Sequence, residues 1–139
     1  MDMACTKKMS VGNRIVDSKH QEIFGLINVI AHSIMAKNIA ALSEAFDLLE
    51  NCLGIYFIVE EHIAKAANFD FTQHRSDHQK LLNDFQRMKG WLIDKNGMWS
   101  KFEEKGCIES LNNCLIQHIK EDAKPLKAVL DTHFYDFNP

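Results

Sequence analysis

The chain has 139 residues, 46% of them apolar and 25% charged, with a formal net charge of -3. That is the length of one domain with enough apolar surface for a core. The acidic balance excludes a general nucleic-acid binder, and no apolar run approaches the roughly 20 residues that a bilayer span needs. The opening MDMACTKKMS has basic residues but no apolar stretch behind them, so it does not read as a secretory signal and a cytoplasmic location is expected. The chain is read as a single domain over 1–139, with its core at about 11–130 and 131–139 as a tail or the start of a linker. Two prolines and six glycines supply too little turn chemistry for an all-β domain. Cys5, Cys52, Cys107 and Cys114 form no Cys-x-x-Cys pair, so they read as small core residues or surface thiols rather than zinc ligands or a disulfide framework.

The first helix is expected to start near Asp17 or Ser18, either able to cap it, and to run to about 37. His20, Ile23, Phe24, Ile27, Ile30 and Ile34 recur there at helical spacing. After a turn at Lys37-Asn38 the second helix covers about 39–67, with Leu42, Phe46, Leu49, Leu53, Tyr56, Glu60 and Ile63 on one stripe. A loop over 68–71 leads to Thr72 as a cap and a third helix over 73–93, with His74, His78, Leu81, Phe85, Met88 and Leu92 inward. Asn96-Gly97 breaks the chain, 98–105 reads as a short extra turn, and Gly106 punctuates it. The fourth helix covers 107–130, with Ile108, Leu111, Leu115, His118, Asp122, Leu126 and Val129 on its stripe. Pro125 removes the bond to the Glu121 carbonyl and should kink or end that helix. Four amphipathic helices with short loops bury their stripes most simply as an all-α, antiparallel up-down-up-down four-helix bundle.

Every apolar stripe is interrupted by ligand-type residues: His20, Glu60, His74, His78, His118 and Asp122. A buried carboxylate without a partner is expensive, and one metal site would satisfy all of these groups together. His74 and His78 stack one turn apart, as do His118 and Asp122, and Tyr56 and Glu60. In an antiparallel bundle the start of the first helix meets the end of the second, the start of the third and the end of the fourth, so the set closes at one end. A single His-x-x-x-His pair is weak evidence, since an inward histidine is usually a hydrogen-bonded core residue; six such residues at one level is a different matter. His32, His62 and His133 fall off that level and read as surface or linker residues. Imidazole with carboxylate suits iron, zinc or manganese. Four or five imidazoles exceed one tetrahedral zinc, and two carboxylates able to bridge favour a pair of ions.

These residues resemble those of a bacterial hemerythrin domain over about 11–130. Ile15-Val16-Asp17-Ser18-Lys19-His20-Gln21-Glu22-Ile23-Phe24, continuing through Ile27-Asn28, is similar to the family's opening motif. Phe57-Ile58-Val59-Glu60-Glu61 is similar to the body of its His-Phe-x-x-Glu-Glu motif, His74-x-x-x-His78 to its paired histidines, and Leu115-Ile116-Gln117-His118-Ile119 to its last histidine motif. The resemblance implies a non-heme site of two oxo- or hydroxo-bridged iron ions that binds dioxygen, or a related diatomic, reversibly. His74, His78 and His118 would hold one iron, His20 would sit on the other, Glu60 and Asp122 would bridge, and Leu115 and Ile119 would line the ligand pocket. The chain departs from the family pattern at Tyr56, where a histidine ligand is expected; the phenol either ligates the second iron or leaves that position open. Asp122 lies four rather than five residues after His118, with Glu121 as the alternative bridge. Cys114 replaces an expected tryptophan, and the loop before His74 is one residue shorter. The implied role is an oxygen or redox sensor or carrier rather than an enzyme, with a peroxide-consuming or iron-handling protein as the alternative. An output domain beyond 131–139 would suit a signalling protein.

Overall fold

The structure, a computed structural model, describes residues 14–66, 68 and 70–130, with side chains through His118. It is all helix among the described residues: α1 (Arg14–Ala36), α2 (Ile39–Ala66), α3 (Thr72–Lys95) and α4 (Lys101–Leu130). Packing runs α1 on α2, α2 on α3, α3 on α4, and α4 back on α1, which closes the expected four-helix bundle. Surface pairs fix the direction. As the α2 partner steps back from Glu61 to Glu50 to Asp47, the α3 partner steps forward from Arg75 to Gln86 to Lys89. Such exposed pairs contribute little energy but report an antiparallel register.

The core is the set of stripes expected from the sequence. Ile23, Phe24, Ile27, Ile30 and Ile34 meet Leu42, Phe46, Leu49 and Leu53, with Leu81, Phe85, Leu92, Leu111 and Leu115 from the other pair. Met88 and Ile108 are half-buried at its edge. Cys52 is buried and Cys107 and Cys114 half-buried, all three free thiols, as core-type cysteines should be; Cys5 lies outside the described residues. Val16, Phe71 and Trp99 also join the core, although they stand at or beyond the expected helix starts.

Helix ends differ from the sequence expectation, each for a local reason. α1 begins at Arg14, so Asp17 lies in its first turn, where its charge suits the helix N-terminus, rather than at the cap. It ends at Ala36 because Lys37 takes φ 53°, and the amides of Lys37 and Asn38 bond back to the carbonyls of Ile34 and Ser33. That double closure lets Asn38 cap α2 at once, its Oδ1 accepting the Ala41 amide at 3.1 Å. Thr72 is not a cap but the first residue of α3; Asp70 Oδ1 accepts both its amide (3.1 Å) and its hydroxyl (2.8 Å).

α4 starts at Lys101, six residues earlier than expected, and Gly106 lies inside it. The cause is a reciprocal cap: the Glu103 amide donates to Ser100 Oγ and the Ser100 amide to Glu103 Oε1, both at 3.0 Å. The signal, Ser-Lys-Phe-Glu, is plain in the sequence, and it overrides the break that Gly106 suggests. α4 runs through Pro125 to Leu130, the end expected for it from the sequence. Replacing Ser100 by Ala should cost about 1 kcal/mol; a lower urea midpoint at unchanged slope would show it, and an unchanged midpoint would mean that the cap is dispensable.

At the end of the bundle away from His20, Lys37 ties two loops together. Its Nζ donates to the carbonyls of Gly97 (2.9 Å) and Trp99 (3.1 Å) and lies 4.8 Å from the Trp99 ring centroid. Nothing in the sequence period announces this contact, because it joins residues sixty positions apart.

Candidate metal centre

His20, Tyr56, Glu60, His74, His78 and His118 are all buried, on four different helices. Each occupies a position where a Leu or Ile would continue its stripe, so helical period alone carries it inward. The structure brings three of them into one cluster. Donor atoms of Glu60, His78 and His118 all lie within 4.8 Å of one another. His78 Nε2 is 3.6 Å from Glu60 Oε2, too long for a direct hydrogen bond. Both Glu60 oxygens and His78 Nε2 are buried without any hydrogen-bond partner.

The neighbours hold this cluster in place. Phe57 stacks on the His78 ring, with centroids 3.8 Å apart and planes 7° from parallel, which fixes the ring's direction. The His118 ring is 5.2 Å from that of His78. His74, one turn before His78, stacks instead on Phe71 at 5.1 Å, and its ring is 6.4 Å from that of His78. His20 Nε2 is hydrogen-bonded to the Tyr56 hydroxyl at 2.8 Å. Tyr56 stands between it and the cluster, its ring 6.2 Å from His78 and 6.0 Å from His118. His74 and His20 therefore adjoin the three-donor cluster without being part of it. His32 and His62 are exposed, as expected. Ile119, Glu121 and Asp122 lie on α4 but their side chains are outside the described residues, as are Leu126, Val129, His133 and the tail. Leu115 is fully buried one turn before the level of His118.

Electrostatics favour a cation at the cluster. Burial pushes the Glu60 carboxyl up, but His78, His118 and the Tyr56 hydroxyl outweigh that effect and hold it below its ordinary value. Glu60 is thus an ionised carboxylate at 1% exposure, and no lysine or arginine pairs with it among the described residues. Burial also lowers His20 to about 4, Glu60 only partly offsetting it, so His20 is a neutral imidazole at pH 7. Oxygen and neutral nitrogen donors around a dry negative charge are what a divalent cation needs, with no proton to displace from Glu60. The residues present fit a bound metal ion.

Comparison with known proteins points to a cation-binding family. The family model of the hemerythrin HHE cation-binding domain matches residues 11–130. A bacteriohemerythrin of Aquifex aeolicus is 26% identical over 92 residues, covering 65% of this chain and 70% of the relative. Hemerythrin-like proteins of Naegleria gruberi and Naegleria fowleri are each 28% identical over 96 residues, covering 60% of this chain and 76% of the relative. No solved structure matches significantly. The bundle, the buried Glu60–His78–His118 cluster and the match over nearly the whole chain lead to one conclusion: this protein belongs to the hemerythrin family of cation-binding domains.

Proposed function

We propose that this chain is a non-heme di-iron protein that binds dioxygen, or a related diatomic, reversibly, as a sensor or carrier in the cytoplasm. The observation that carries the reading is the cluster of unpartnered buried donors at Glu60 and His78 beside His118. Glu60, His78 and His118 would hold one iron, with His74 closing on it from one turn away. His20 would serve the second iron, Tyr56 would stand at that iron's position, and Glu60 and Asp122, or Glu121 in its place, would bridge. Bound ferrous iron would supply the electrons for reversible capture of dioxygen. The protein's part is to keep Glu60 ionised and His20 uncharged, to hold the His78 ring flat against Phe57, and to exclude water. Leu115, together with Ile119, would give the ligand pocket its apolar wall, which slows irreversible oxidation. No helix among the described residues is long and apolar enough to cross a membrane.

One observation favours a second reading. An open cleft of about 380 Å³ between α3 and α4 is lined by Asp77, Lys80, Asn113 and Gln117 and reaches His118. The half-buried Cys114 is part of its wall, where a tryptophan would fill space. A polar entry suits hydrogen peroxide better than dioxygen, and would make the protein a consumer of peroxide. The test is iron analysis with absorption spectra of the reduced protein before and after air. A spectrum that forms in air and reverses on removing oxygen supports the first reading. Catalytic loss of added peroxide supports the second. A chain that retains no iron after anaerobic reconstitution refutes both.

A further inference from the structure

We propose that Tyr56 makes the two metal positions fill in sequence: one ion at Glu60, His78 and His118 first, and a second at His20 only after the Tyr56–His20 hydrogen bond has broken. The inference rests on the proposed two-ion reading and concerns what this chain's own tyrosine does to it. The two halves of the site differ in readiness. At the first, both Glu60 oxygens and His78 Nε2 are buried without a close hydrogen bond, so neither residue has a short bond to give up to an ion. At the second, His20 Nε2 is held by the Tyr56 hydroxyl at 2.8 Å, with both residues fully buried.

That bond blocks His20 whichever way its proton lies. If the phenol donates, its hydrogen occupies the Nε2 lone pair; if the imidazole donates, Nε2 carries the hydrogen itself. A metal needs that lone pair bare. Both side chains are buried away from bulk solvent, so losing the bond is costly. The opposite nitrogen, Nδ1, is buried without a hydrogen bond, but it is Nε2 that faces Tyr56, and Tyr56 is the residue that borders the His78 and His118 rings.

Ferrous iron titrated under argon into the metal-free full chain tests this. The expected result is one tight equivalent and a second, weaker one. Tyr56→Phe removes the hydroxyl and should tighten the second equivalent relative to the first by about tenfold, the worth of a typical hydrogen bond. His20→Ala, checked for helix content by circular dichroism, should keep the first equivalent and lose the second, and serves if Tyr56→Phe does not fold. Two equal equivalents in the wild type, a weaker second equivalent in Tyr56→Phe, or loss of the first in His20→Ala would each overturn the sequence of filling while leaving metal binding intact. If the wild type holds no iron and His78→Ala behaves identically, the two-ion reading itself fails and takes this one with it.

Discussion

His78→Ala should abolish the rise in melting temperature that ferrous iron gives the wild-type protein. His78 Nε2 lies 3.6 Å from the Glu60 carboxylate, and its ring is locked by the stack on Phe57. An ion that binds only the folded state stabilises it by mass action, about 4 kcal/mol at a thousandfold excess over Kd. For a chain of this size that is a shift in Tm of roughly 10 °C or more. The truncation also leaves Glu60 with one fewer group favouring its charge, so the metal-free variant should itself be less stable. The decisive quantity is therefore the gap between loaded and metal-free Tm, measured for each protein. A gap of wild-type size in His78→Ala would remove His78 from the metal site.

Acid should destabilise the metal-free protein well before ordinary carboxylate titration begins. The folded state holds His20 neutral down to about pH 4, whereas the unfolded chain binds a proton near 6.5. Between those values the unfolded state carries more protons, so stability falls as pH falls. The stability linked to His20 is complete above 6.5 and lost progressively on the way to about 4. A shift of that size corresponds to roughly 3 kcal/mol. The depressed Glu60 acts in the same direction below its ordinary range, since its protonation is also disfavoured in the fold. His20→Gln keeps a polar partner for Tyr56 but cannot titrate. Urea midpoints at pH 7 and pH 5 should therefore draw closer together in the variant than in the wild type. Equal pH dependence in both would mean that His20 is not the group responsible.

The four helices and their core were legible because both follow from a local rule: apolar residues every three or four positions need one buried face. His20, Glu60, His74, His78 and His118 were legible for the same reason, as polar residues at positions where that rule demands Leu or Ile. Their burial in the bundle confirms the stripe. The helix boundaries were less legible. Gly106 looked like punctuation, yet the Ser100–Glu103 cap and packing carried α4 straight through it, since one glycine costs a helix only about 1 kcal/mol.

What the sequence determined by itself was which residues face inward and at which level of the bundle. The tertiary structure decided how those residues divide. Glu60, His78 and His118 converge within 4.8 Å, His74 turns to Phe71, and His20 is joined to Tyr56 instead of to the cluster. Lys37 likewise finds Gly97 and Trp99 across the bundle's far end. Helical period sets the direction of a side chain to within one face. Which atom it meets depends on the axial offset and rotation of a neighbouring helix, and those are set by the packing of the whole core.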